Sequence, residues 1–126
     1  MLCESIHLYY FDLETEGMDP KSHSIVTIQY AKLCLKDSQL EPLGNIEILK
    51  VWECGSEKEL IKKFLEVSKF FDYNCLFCFI PVGVALNFDT LSLCERAKIH
   101  GLLDKDVDCE EVLHRKPLID FISLFS

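Results

Sequence analysis

The sequence predicts an α/β domain: a three-stranded antiparallel meander followed by strands that helices connect. Three observations lead to it. The first fifty residues hold three segments rich in aromatic and β-branched side chains, joined by turn-rich connections. Apolar positions then recur at helical spacing from residue 56 onward. Finally, a near-continuous apolar run at 75–86 leads into a second helical pattern, as expected of a strand buried on both faces.

Taken in order, "SIHLYYFDL" (5–13) is the first strand, and "EGMDPKSH" follows as a loop with Gly17, Asp19 and Pro20 as breakers. "SIVTIQYAKLCL" (24–35) is the second strand and "NIEILKVW" (45–52) the third, with "KDSQLEPLG" as the turn between them. "GSEKELIKKFLEVSKFF" (55–71) is a helix in which Ser56 and Glu59 are spaced as a capping box, and Leu60, Ile61, Phe64, Leu65, Val67 and Phe71 share a face. "CLFCFIPVGVAL" (75–86) is the central strand, with Pro81 marking its end. "FDTLSLCERAKIHGLL" (88–103) is a helix that stops at Gly101, with Arg96, Lys98 and His100 placed in its last turn to suit the dipole. "PLIDFISLF" (117–125) closes the chain as a short strand. The order βββαβαβ is that of the opening two-thirds of an RNase H-like domain. At 126 residues and 49% hydrophobic content, residues 1–126 form one domain around one core.

Thirteen basic residues against 21 acidic ones give a net charge of −8, which lacks the footprint of a protein that grips phosphates over a broad surface. Any role on nucleic acid is therefore local, with positive charge supplied by bound metal ions, a partner or a further segment. Glu4 and His7 interrupt the apolar start, so it does not read as a signal peptide, and the run at 75–86 falls short of the ~18 residues of a membrane span. The seven cysteines sit mostly among apolar neighbours, so all are expected as free thiols in a soluble, cytoplasmic protein. Cys75 and Cys78 read as core residues of a strand, facing opposite ways, and His7 as a core or edge histidine.

"FDLETEG" (11–17) sets Asp12 and Glu14 two apart, so that on a strand they share a face while Leu13 points into the opposite layer. About 75 residues downstream, "NFDTLSLCERAKIHGL" places Asn87 and Asp89 at the head of a helix. Alone, a D-x-E is two solvated carboxylates and Asp89 is an N-cap. Together, with the T-x-G tail and the strand that follows, the segments resemble the first and second motifs of the DEDD superfamily of 3′–5′ exonucleases. The resemblance spans nearly the whole chain and is nearest in style to archaeal exonuclease domains related to the proofreading domains of family-B polymerases. It implies phosphodiester hydrolysis at single-stranded DNA or RNA 3′ ends with two divalent cations, Mg²⁺ or Mn²⁺. By the same resemblance Asp12 bridges both ions, Glu14 binds one and orients water, and Asp89 approaches from the helix. Asn87 shapes the turn, and Thr15, Glu16 and Gly17 lie where the backbone meets the terminal nucleotide.

Superfamily members also carry a third motif, a Tyr or His followed four or five residues later by an Asp, on a helix after the last strand. His114 and Asp120 are six apart with Pro117 between them, so they do not form it. Asp120 belongs instead to the strand "LIDF", where the family often has an acid. The first reading is thus a C-terminally incomplete nuclease domain with weak metal affinity and little activity. A second is a non-catalytic RNase H-like descendant serving as a protein-interaction or metal-binding module, and a third is an unrelated small α/β interaction domain. An incomplete sheet layer would leave an apolar face for a second copy or a partner subunit to cover.

Overall fold

Strand β1 (Leu8–Thr15) is the axis of the sheet, and its alternation is that of a strand covered on one face: Phe11 and Leu13 are buried, while Tyr10, Asp12 and Glu14 point the other way. The computed structural model describes residues 6–121. Strand β2 (Ile25–Lys36) runs antiparallel to β1 from Leu8↔Leu33 to Glu14↔Thr27. The register then slips between Glu14 and Thr15, a bulge at the acidic end of the strand.

"KDSQLEPLG" is more than a turn. Asp37 and Ser38 both take positive φ (53° and 65°), the geometry of a tight hairpin loop, and β3 (Gln39–Pro42) folds back on β2. Strand β4 (Glu47–Lys50) pairs with the other half of β2, and Val51 and Trp52, expected in that strand, instead begin the short helix α1 (Val51–Cys54). The sheet order is β3-β2-β1-β5-β6 with β4 also on β2. Strands β5 (Ile80–Gly83) and β6 (Ile119–Asp120) extend it in parallel. This is the mixed α/β, RNase H-like arrangement that the order of segments predicts.

Helix α2 (Glu57–Ser68) starts as expected, with the Ser56 hydroxyl accepting the Glu59 N–H at 3.1 Å. It ends at Ser68 because Lys69 turns left-handed (φ 51°). That turn redirects the chain, so Phe70 enters the core while Val67, expected on the buried face, is exposed. Phe11, Phe64, Phe70 and Phe79 form the core, with Tyr9 stacked on Phe79 at 4.2 Å.

The apolar run at 75–86 is mostly not a strand. Residues 73–75 form a 3₁₀ turn, the Cys78 N–H donates to the Cys75 carbonyl at 3.0 Å, and Phe77 is exposed. Only four residues pair, with Pro81 among them rather than at the end. The Ile80 N–H donates to the His7 carbonyl at 2.8 Å, so by alternation Pro81 faces the β6 side, where pairing begins only at Val82 and a missing donor costs nothing.

Helix α3 (Leu86–Ile99) begins two residues earlier than expected, after Ala85 at φ 57°. Helix α4 (Cys109–Arg115) lies where no element was predicted, capped by Asp108, which accepts the Glu110 and Glu111 N–H groups. Cys94 of α3 and Cys109 of α4 are paired as a disulfide, Cα atoms 5.8 Å apart, which corrects the expectation of free thiols throughout. Cys34, Cys54, Cys75 and Cys78 are free, and Cys3 lies outside the described residues. Of the closing segment 117–125, only Ile119 and Asp120 pair, and 122–125 lie outside the described residues.

Candidate active site

The site forms where β1 outruns β5. Pairing between them stops at Tyr10↔Val82, and Gly83 then passes so close to β1 that a β-carbon there would lie 2.7 Å from the Phe11 carbonyl oxygen. Beyond that point the Leu13 N–H has no strand beside it. Asp89, in the first turn of α3, accepts it through Oδ2 at 3.3 Å. Asp89 is therefore not the N-cap of its helix. The Leu86 N–H at the start of α3 is accepted instead by Oδ2 of Asp120 on β6, at 3.0 Å.

These contacts bring four acids into one electrostatic neighbourhood. Asp89 is 4% exposed, and its carboxyl is pushed up to about 7 by burial and then by the charges of Asp12, Glu14 and Asp120, against the hydrogen bond from Leu13. Burial raises Asp12 too, helped by the charge of Glu14 and a side-chain hydrogen bond with it. Tyr10 shares their face of β1, and its hydroxyl is raised by burial and by Asp12, Asp89 and Glu14 in turn. Asp12 and Glu14 are thus near enough to Asp89 for their charges to act on it. Tyr10 and Asp120 join them, although Asp120 was assigned only a strand position and Tyr10 no role. The signal for Tyr10 was the i, i+2, i+4 alternation Tyr10-Asp12-Glu14.

Carboxylate oxygens are the ligands a hard divalent cation takes, and the elevation of Asp12 and Asp89 is what a cation would relieve. Among the described residues, however, no group of three or more His, Cys, Asp or Glu side chains is disposed to hold a metal ion. The residues supply the donor chemistry but not a preassembled cage.

The loop after β1 is built on itself. Thr15 Oγ1 donates to the Gly17 carbonyl at 2.7 Å, and Glu16 accepts the Ser24 N–H at 3.0 Å, which holds its carboxyl below the usual range. Gly17 packs against His23 so tightly that a β-carbon would fall 2.7 Å from the imidazole. Asn87 is exposed on the first turn of α3. Among the described residues, no hydrogen bond or ion pair joins Thr15, Glu16, Gly17 or Asn87 to Asp12, Glu14 or Asp89.

Arg96 and His100, expected at the end of α3 to suit its dipole, turn inward to Glu57 on α2. Glu57 Oε1 receives Arg96 Nη2 and His100 Nε2 at 2.6 Å each, and Oε2 accepts the Ile25 N–H at 2.6 Å. Burial opposes the charge on Glu57, yet the hydrogen bonds from Arg96, His100 and Ile25 together keep its carboxyl below the usual range. Arg96 also donates to the Lys21 carbonyl at 2.9 Å and so ties the loop after β1 to both helices.

No protein-family model matches the chain, and no curated protein matches it in sequence. A solved structure does: a moderately thermophilic Exonuclease I from Methylocaldum szegediense superposes with a TM-score of 0.61 at 18% identity, over 95% of this chain and 28% of that one. The fold of this chain is similar to that of the exonuclease. The chain spans little more than a quarter of the exonuclease it matches, and at this identity the likeness concerns the fold alone. In this chain Asp12 and Glu14 stand towards the end of the central strand and Asp89 on the helix beside it.

Proposed function

We propose that this chain is a metal-dependent 3′–5′ exonuclease-like domain acting on the ends of single-stranded DNA or RNA, with Asp12, Glu14 and Asp89 as its metal-holding and catalytic residues. The observation that supports this best is Asp89. A carboxyl raised to about 7 by burial and by neighbouring acids, at the head of a helix beside the end of a strand, has the electrostatics that a bound divalent cation would offset. A bound divalent ion would activate water and stabilise the leaving 3′ oxygen. The Leu13 N–H holds Asp89 in place, Glu14 sits at the exposed rim where water enters, and Asp120 anchors the helix that carries Asp89. Thr15, Glu16 and Gly17 form the loop against which a terminal nucleotide would lie, and Asn87 is the exposed group on the opposite bank. The finer kinship with archaeal and family-B proofreading domains rests on the motifs "FDLETEG" and "NFD".

Because the acids are not caged, affinity for metal should be weak and activity low. Mn²⁺ should be preferred to Mg²⁺, which demands near-ideal octahedral geometry. No helix among the described residues is long and apolar enough to cross a membrane. A cytoplasmic location is our reading from the free thiols of Cys34, Cys54, Cys75 and Cys78. The apolar groove of about 300 Å³ beside the acids, walled by Tyr10, Leu33, Leu40, Ile46, Val82 and Phe121, is the surface a second copy would cover.

Two measurements test the reading. Mn²⁺ should broaden amide resonances at residues 10–15 and 86–90, and an Asp12→Ala, Glu14→Ala double variant should lose that broadening. End-labelled single strands should be trimmed slowly from the 3′ end with Mn²⁺, and not by the double variant. Broadening elsewhere, or trimming that survives the double substitution, would refute the assignment. Robust trimming would instead call for a fourth ligand, with Asp120 tested first.

A further inference from the structure

A second concave site lies between the segment after α2 and the face of α4. Phe70, Phe71, Leu76, Leu103 and Val112 wall a cavity of about 170 Å³, and into this apolar lining comes one amine. Lys116 is 5% exposed, its Nζ has no hydrogen-bond partner among the described residues, and it sits 4.4 Å over the Phe70 ring. Its position is set by the backbone, because the Lys116 N–H closes α4 on the Val112 carbonyl at 2.9 Å. Burial pushes its pKa down to about 8, with the charge of Cys78 acting the other way. Arg115 also lines the cavity but is already engaged, paired with Glu111 at 2.7 Å and lying over the Tyr73 ring.

A buried ammonium without a counter-charge is costly, and a phenyl face offsets only part of that cost. The site lacks one thing, an anion, and its walls accept only an apolar body to carry it. The volume matches cavities of about 150 Å³ that hold a single benzene ring, so the body is one ring or a short branched chain. Lys116, the one lining cation unpartnered among the described residues, and the apolar walls suit a single carboxylate far better than a polyanion.

We propose that this cavity binds a small monocarboxylate with an apolar body, its carboxylate paired with Lys116. The site is independent of the acids at the end of β1 and of any nuclease activity.

The test titrates benzoate and its neutral analogue benzamide into the full chain, following side-chain resonances of Phe70, Leu103 and Val112. Wild type should bind benzoate about tenfold or more tightly than benzamide, the worth of one charge-assisted pair in a dry site. Lys116→Met should lose that preference while still binding benzamide, and Lys116→Gln serves should the Met variant fail to fold. Benzoate that leaves these resonances unmoved at millimolar concentration, or moves them equally with and without Lys116, would overturn the proposal. So would labelling of Lys116 by benzaldehyde and borohydride with no effect of benzoate, which would make the ligand a carbonyl compound.

Discussion

Asp89 is stabilised as an acid rather than as a carboxylate. Its folded pKa of about 7 lies above the ordinary 3.8, so the folded chain binds the proton more tightly than the unfolded one. Its contribution to stability is complete below about 3.8 and is lost as the pH rises through about 7. Asp89→Asn keeps an acceptor for the Leu13 N–H and removes the titration. In urea unfolding with a chelator present, the variant's advantage over wild type should grow from pH 4 to pH 8, by up to about 4 kcal/mol, and then level off. A pH-independent difference would show that Asp89 is ionised throughout. Mn²⁺ should narrow the gap at pH 8, because it stabilises wild type by binding only the folded chain. Gly83 acts at the same scale by steric means. A methyl group at Gly83→Ala would meet the Phe11 carbonyl at 2.7 Å, so the variant should lose about 1–3 kcal/mol and loosen the β1–β5 pairing that positions Asp89. A fold as stable as wild type in the same unfolding assay would show that the two strands can part without cost.

At the scale of elements, two cross-links hold the helices. Glu57 joins α2 to α3 and to the start of β2, with Arg96, His100 and the Ile25 N–H all on its carboxylate. Removing it strands a buried guanidinium, so Glu57→Ala should cost about 3–5 kcal/mol by chemical denaturation. A cost under about 1 kcal/mol would show that water replaces the carboxylate. Its pH dependence is opposite to that of Asp89: the depressed carboxyl contributes fully above the ordinary 4.5 and is lost as the pH falls below its folded value. The disulfide Cys94–Cys109 ties α4 to α3 across 15 residues, and closing such a loop is worth about 3 kcal/mol. Thiol titration in denaturant should gain two thiols on reduction, those of Cys94 and Cys109. No gain on reduction would mean the pair is not oxidised in the isolated protein. Helix α4 itself was legible: Asp108 with Glu111 three residues on has the capping spacing already recognised at Ser56 and Glu59. It was passed over because its seven residues offer too few apolar positions to show a period.

At the scale of the whole molecule, Tyr10, Leu33, Val82 and Phe121 line an apolar groove on one face of the sheet. Sedimentation should show reversible self-association at high concentration, weakened by an Ile46→Lys, Leu40→Lys double variant, and a strictly monomeric chain would remove the second copy from that face. The sequence by itself determined the α/β class, the meander, α2 and the strand carrying Asp12 and Glu14, because each is written in local periodicity and turn chemistry within a few residues. It also brought Asp89 into view, as part of a motif at the head of a helix. Only the tertiary structure decided that Asp89 takes the Leu13 N–H, that Asp120 holds the start of α3, that Glu57 gathers Arg96 and His100, and that Lys116 ends alone in an apolar cavity. The physical reason is separation along the chain. Leu13 and Asp89 are 76 residues apart and Glu57 and Arg96 are 39, so no local pattern encodes their meeting. Which buried polar group finds a partner, and which is left for a ligand to satisfy, is settled when the sheet and helices pack.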